Sequence, residues 1–212
     1  KKNQVAITKM ILKRVGFVIT LNNEMNEIVS KYTNSFQTLV CGADGDLFNG
    51  SYEHKEITTF LFPGKPGREV KNYPLFCAIV DAYKNQGNEA GIIILDGFTR
   101  DEMVANFKKG SLLLMTSHSE GSPQVVKEAM LSDLPILSSD VGDVRDVIGD
   151  TPGTLVYGDV EASEIARKVK NLLSQALSTR GARRTRIMNA GLEQQRVITE
   201  LTKVYERVVN NA

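Results

Sequence analysis

The sequence predicts an α/β fold, a Rossmann-like doubly wound parallel sheet, and three observations carry that prediction. Short apolar runs alternate with amphipathic stretches of helical spacing from about residue 58 onward. The runs are nearly continuous in apolar residues, as strands buried on both faces are. Clusters of Gly, Pro, Asp, Asn and Ser separate the two kinds of segment. Together they describe a parallel sheet covered by helices on both sides.

Taken in order, "NQVAITKMILKRV" reads as a helix through Val5, Ile7, Met10, Ile11 and Val15. "GFVIT" is a short strand, "NNEMNEIVSKY" a polar helix capped by Asn22 or Asn23, and "FQTLVC" another strand. "GADGDLFNGSY" is dense in turn residues and marks a linker. Then follow strand "TTFLFPG", helix "YPLFCAIVDAYKNQ", strand "GIIIL", helix "TRDEMVANFKKG", strand "SLLLMTS" and helix "PQVVKEAMLSD". Strand "PILSS", helix "VGDVRDVIG", strand "GTLVY" and helix "ASEIARKVKNLLSQAL" continue the alternation. "STRGARRTRIMNAG" places Arg180, Arg183, Arg184 and Arg186 on what reads as a solvated helix and turn. A last amphipathic helix runs through Val197, Leu201, Val204, Tyr205 and Val208.

The 212 residues suffice for a full core, since a chain of this size buries roughly 70% of its unfolded surface. A net charge of +1 gives no global field to recruit nucleic acid. No apolar run approaches the ~18 residues of a membrane span and no signal-peptide pattern opens the chain, so a cytoplasmic location is expected. Cys41 and Cys77 stand in apolar settings without metal spacing and read as buried, reduced thiols. The chain opens at Lys1 and is helical from the start, from which we expect it to begin partway through a longer protein.

The chemistry concentrates in loops that follow strands, which gather at one sheet edge. In "SHSEGSPQVVKEAM" the helix opens at Pro123, where a missing N–H costs nothing. The N–H groups of Gln124 and Val125, with the helix dipole, suit a phosphate. Glu128 leans back toward the helix start and could accept from a vicinal diol; alternatively it is a solvated residue and Glu120 only favours the dipole. "FPGKPGREVKNYP" sets Lys65, Arg68 and Lys71 beside Gly64 and Gly67, either a diphosphate loop or a charged surface loop. In "LDGFTRDE", Thr99 and Glu102 form a capping box, and Phe98 either lies against a nucleobase or staples its helix. Asp140, Asp143 and Asp146 read as caps and partners of Arg145 rather than metal ligands. Neither His54 nor His118 belongs to a catalytic triad or metal cluster.

Over roughly residues 36–175 these segments resemble the C-terminal, donor-binding domain of GT-B-fold glycosyltransferases of family 4, the glycosyl transferases group 1. "EGSPQVVKE" looks like the family's paired-glutamate motif, "LPILSSDVGDVRDVI" like the strand and turn after it, and "FPGKPGREVKNYPL" like its basic loop. "LVCGADGDLF" is similar to its interdomain linker. The resemblance implies residues 1–45 as the tail of an N-terminal, Rossmann-like acceptor domain, 46–190 as the donor-binding domain and 191–212 as a C-terminal helix.

It implies Glu120 as the catalytic residue holding the transferred sugar and Glu128 on the ribose. The Gln124 and Val125 amides would hold the diphosphate with Lys71 and either Lys65 or Arg68, and Gly64, Gly121 and Ser122 would also bind the donor. Backbone around Phe98 would read the base. The implied reaction is retaining transfer from a UDP- or GDP-linked sugar to a glycan or lipid-linked acceptor, with no required metal or cofactor. Acceptor and any peripheral membrane contact would come through the rest of the N-terminal domain. A non-catalytic nucleotide- or sugar-phosphate-binding module would keep the basic loop and could lose Glu120; a flavodoxin-like regulatory domain would need neither. We expect the chain alone to bind donor without transferring sugar, and its last helix to expose an apolar stripe.

Overall fold

A computed structural model describes residues 2–210. Two parallel sheets organise the chain. The first is a βαβ unit: β1 (Val18–Thr20) pairs with β2 (Phe36–Thr38) across helix α2 (Asn23–Val29), and helix α1 (Lys2–Leu12) precedes it. Asn22 caps α2 by accepting from the Met25 N–H at 2.9 Å, as its position in the sequence predicts.

The second sheet holds β3 (Thr58–Pro63), β4 (Ala90–Leu95), β5 (Leu112–Met115), β6 (Ile136–Ser139) and β7 (Thr154–Tyr157), in the order β4-β3-β5-β6-β7. Every pairing is parallel, so each connection must cross a face of the sheet. Helices α3 (Tyr73–Asn85) and α7 (Ala162–Ser178) pack together on one face. Helices α4 (Arg100–Lys109), α5 (Gln124–Leu131), α6 (Val144–Ile148) and α8 (Ala182–Ala190) cover the other. Chain order reverses between β3 and β5, and the loops leaving them part in opposite directions. That leaves a crevice at their C-terminal ends, where open α/β sheets bind ligands.

Alternation of side chains divides the core accordingly. Phe60, Phe62, Leu112, Leu114 and Leu137 join the α3–α7 cluster, while Leu61, Leu113, Met115 and Ile136 join the other. Phe62 meets Phe76 edge to face at 4.9 Å, and Phe60 meets Tyr83 at 5.3 Å. Burying each such ring contributes about 1.5–3 kcal/mol, which fixes β3 and hence the loop that leaves it.

Helix α9 (Gln194–Asn210) turns back over the βαβ unit. Its Arg207 donates to Gln37 at 2.8 Å and lies 4.9 Å over the Phe17 ring. The predicted stripe is therefore largely covered: Val204 is buried and Val197, Leu201 and Val208 are half-buried, whereas Tyr205 faces solvent at 62% exposure. The apolar face left open belongs instead to α1, where Val5, Ile7, Met10 and Ile11 are all about half exposed. Among the described residues no helix is long and apolar enough to cross a membrane.

Two further expectations are corrected. Cys41 is exposed and Cys77 only half-buried, both with free thiols, because Cys41 sits on the surface linker and Cys77 on a partly exposed part of α3. The arginine-rich segment is not a solvated helix, because Arg183 is fully buried. Its guanidinium donates to the carbonyls of Asp133 (2.8 Å), Pro152 (2.9 Å) and Ala176 (3.1 Å). Arg184 reaches the carbonyls of Gly45, Phe48 and Leu131, and Arg186 those of Asp146 and Val147. These arginines are internal ties between α8 and the loops around it.

Candidate functional site

The loop after β3 begins with Gly64 at φ +124°, a conformation that side chains rarely adopt. A Cβ there would stand 3.1 Å from Lys71 Cε, so the glycine also makes room for the lysine stem. A single 3₁₀ turn, Glu69–Lys71, then delivers Lys71 to the sheet edge. Asn72 follows in the left-handed conformation (φ +50°) that Asn tolerates, and caps α3 through its side chain.

The loop after β5 is stitched to this one. Thr116 Oγ1 donates to the carbonyls of Lys71 (2.9 Å) and Asn72 (3.0 Å), and the His118 N–H donates to Val70 O at 2.8 Å. Across the crevice Lys71 Nζ meets Glu120 Oε1 at 2.7 Å, and the Ser117 hydroxyl donates to the same oxygen at 2.8 Å. Gly142, at φ +59°, packs on the Glu120–Gly121 backbone so closely that a Cβ would come within 2.5 Å of Gly121 O. On the far side, Asn22 of the βαβ unit donates to Gly121 O at 2.8 Å. The Glu120 loop is thus held by three elements.

Helix α5 starts at Gln124 with Pro123 as its N-cap. The Val126 N–H turns to Pro123 O at 3.2 Å, while those of Gln124 and Val125 have no acceptor among the described residues. The Gln124 side chain is committed elsewhere, donating to Gly42 O of the linker at 2.6 Å. Ser122 is committed too. Its hydroxyl donates to Asp143 Oδ2 at 2.6 Å and accepts from Lys127, which is fully buried and 3.5 Å from that carboxylate. Burial pushes the Lys127 amine below its ordinary value, with Asp143 opposing. Ser122 is therefore bonded into the loop's underpinning, and Asp143 partners Lys127 while Arg145 pairs with Asp140 at 2.6 Å.

Glu128 is buried, 4% exposed, and not the solvated helix residue its position allowed. Its Oε1 accepts from Arg100 Nη1. Burial raises the Glu128 carboxyl above the usual glutamate range, and the Arg100 hydrogen bond and charge pull it partly back. Lys65, Arg68 and Phe98 lie at the rim, exposed. The Thr99–Glu102 capping box forms as predicted. Arg100 and Ser117 were not singled out from the sequence. Arg100 carried a signal, since a cation in a helix's first turn opposes the dipole and needs another reason to be there.

Sizeable cavities open elsewhere. One of about 540 Å³ is lined by Thr58, Glu89 and Ser111, which lie at or before the starts of strands, and one of about 680 Å³ surrounds the turn before β7. Volume alone would point there. The Lys71–Glu120 pair and the start of α5 instead lie at the C-terminal edge of β3 and β5, with Glu128 one turn into α5 against Arg100.

The fold is a doubly wound α/β domain of the GT-B type, with a short βαβ unit packed against it. The family model for glycosyl transferases group 1 matches residues 54–175, and the chain belongs to that family. No curated protein sequence matches the chain. A sucrose-phosphate synthase from Thermosynechococcus elongatus is similar in structure, with TM-score 0.78 and 14% identity over 100% of this chain and 63% of that one. Anabaena HepE, solved with UDP and glucose, gives TM-score 0.75 and 10% identity over 97% of this chain and 67% of that one. The pneumococcal O-GlcNAc transferase GtfA, solved with UDP and GlcNAc, gives 0.68 and 15% over 98% and 48%. At such identities the likeness is one of fold, and the chain spans 63% of the synthase and about half of GtfA.

Proposed function

We propose that this chain is the donor-binding part of a retaining glycosyltransferase that moves a sugar from a UDP- or GDP-linked donor to a glycan or lipid-linked acceptor. The observation that carries the reading is the pairing of Lys71 with Glu120 across the switch-point crevice, beside the unbonded amides of Gln124 and Val125. Breaking the sugar–diphosphate bond builds negative charge on the leaving diphosphate. A cation and a helix N-terminus already in place stabilise that charge without reorganising. Lys71 would turn from Glu120 to the diphosphate, with Lys65 or Arg68 closing from the rim. Glu120 would then be free to accept from the sugar hydroxyls, and Glu128 would take the ribose diol. The relatives solved with UDP and a sugar support a donor of this class. The reading requires no metal or cofactor.

Calorimetric titration with UDP, GDP and their hexose conjugates tests it. Glu128→Gln should weaken UDP or GDP binding by about 1–3 kcal/mol, the cost of losing a charged hydrogen-bond partner. Glu120→Ala should spare the free nucleoside diphosphate and weaken the nucleotide sugar. Equal affinity of wild type and Glu128→Gln removes Glu128 from the site, and equal losses of both ligands in Glu120→Ala make Glu120 a loop-positioning residue.

A further inference from the structure

Arg100 is the first residue of α4, where the unbonded N–H groups of the helix start disfavour a cation. Two contacts outweigh that placement. Its Nη1 donates to Glu128 Oε1, and its guanidinium carbon lies 4.8 Å over the Phe48 ring. Phe48 is itself fixed: its carbonyl accepts from Arg184 at 2.8 Å and its ring packs 5.6 Å from Phe107. The linker, not helix α4, thus supplies the surface on which Arg100 is aimed.

The pair is lopsided, with the Glu128 side chain 5% exposed and that of Arg100 51%. Three other cations nearby have partners of their own. Lys127, on the same helix, serves Ser122 and Asp143; Lys71 serves Glu120; Arg184 serves three backbone carbonyls. Arg100 takes Oε1, and among the described residues no donor reaches Oε2 of Glu128.

We propose that Arg100 is a positioning residue for nucleotide binding: by pairing with Oε1 it holds buried Glu128 as an anion whose Oε2 accepts from a vicinal diol. The inference rests on the reading of Glu128 as the ribose contact. Burial by itself favours the neutral carboxyl, which carries a proton where a diol needs an acceptor. Burial is the larger influence on Glu128 and Arg100 the opposing one, so removing Arg100 leaves the push unopposed. Because Arg100 lies half outside the protein, its substitution should leave the core intact.

Two measurements on the full chain test this. The Glu128 carboxyl is titrated by carbon NMR without nucleotide, in wild type, Arg100→Ala and Arg100→Lys. Binding of UDP and GDP is then measured by calorimetry across the same pH series, with Glu128→Gln as reference. We expect the Glu128 midpoint to rise in Arg100→Ala and to stay near wild type in Arg100→Lys. At neutral pH, Arg100→Ala should bind the nucleotide about tenfold more weakly, a loss that shrinks as pH rises. Glu128→Gln should be weak without that pH dependence. An unmoved midpoint in Arg100→Ala, or a loss the same at every pH, overturns the proposal at Arg100. A midpoint that moves while Glu128→Gln binds as well as wild type, or while wild type binds neither nucleotide, overturns it through the ribose reading instead.

Discussion

Arg183 on α8 and Lys71 at the sheet edge each face a carboxylate, at 3.0 and 2.7 Å, yet the two pairs are built differently. Arg183 is fully buried and spends its guanidinium on three carbonyls besides the Asp133 carboxylate, whose other oxygen accepts from the Gly181 N–H. Its contact with Asp133 Oδ1 is ionic rather than a hydrogen bond. Burial lowers the Arg183 value and Asp133 opposes that shift. Lys71 makes a single side-chain contact, next to helix amides that have none. A cation sealed from solvent and spent on protein oxygens is a structural tie. One with donors to spare, near helix amides that lack an acceptor, fits the ligand role proposed for it.

The most severe way to break that contrast is Arg183→Met. It leaves Asp133 buried and unpaired, and we expect a loss of about 3–5 kcal/mol in stability, read from urea midpoints. Nucleotide affinity of the folded protein should not change. A loss below about 1 kcal/mol would make Arg183 no more structural than the edge residues.

Lys71→Ala is the counterpart. Stability should fall by less than in Arg183→Met, because Glu120 keeps the Ser117 hydroxyl and some access to solvent. UDP or GDP binding should weaken by about 1.5–3 kcal/mol, while uridine or guanosine binding barely moves. Salt should weaken the wild-type diphosphate complex and do less to the mutant. If nucleoside and diphosphate suffer alike, Lys71 supports the loop rather than the phosphates.

The smallest effect sharpens the comparison within the edge itself. The folded state raises the Glu128 carboxyl, so it holds that proton more tightly than the unfolded chain does. Stability contributed by the neutral form is therefore complete below the ordinary glutamate value and is lost as pH rises through the raised one. Glu128→Gln should remove this slope. Its thermal midpoint should gain on wild type across that window while nucleotide binding falls. A parallel pH dependence in both proteins would show that Glu128 costs the fold nothing.

Much of this was legible in the chain. The alternation of strands and helices, the Asn22 cap, the Thr99–Glu102 box and the place of Lys71 and Glu120 at the ends of β3 and β5 follow from local pattern. Each depends on residues a few positions apart, where steric and hydrogen-bond rules act without tertiary context. Family membership was legible too, because four segments stand in a fixed order along the chain.

Only the tertiary structure decided which charges were free. Arg183 and Arg184 read as solvated because nothing nearby in sequence shows the carbonyls of Asp133, Pro152, Gly45 or Phe48 that receive them. Ser122 and Gln124 sit between the two glutamates of the motif, yet their side chains are tied to Asp143 and Gly42, far away along the chain. Glu128 found Arg100 across a helix-to-helix gap, and α9 covered the stripe it was expected to expose. Hydrogen-bond saturation and burial are sums over all neighbours in space. A sequence shows what a side chain can donate, and the folded chain decides whether anything remains to be given to a ligand.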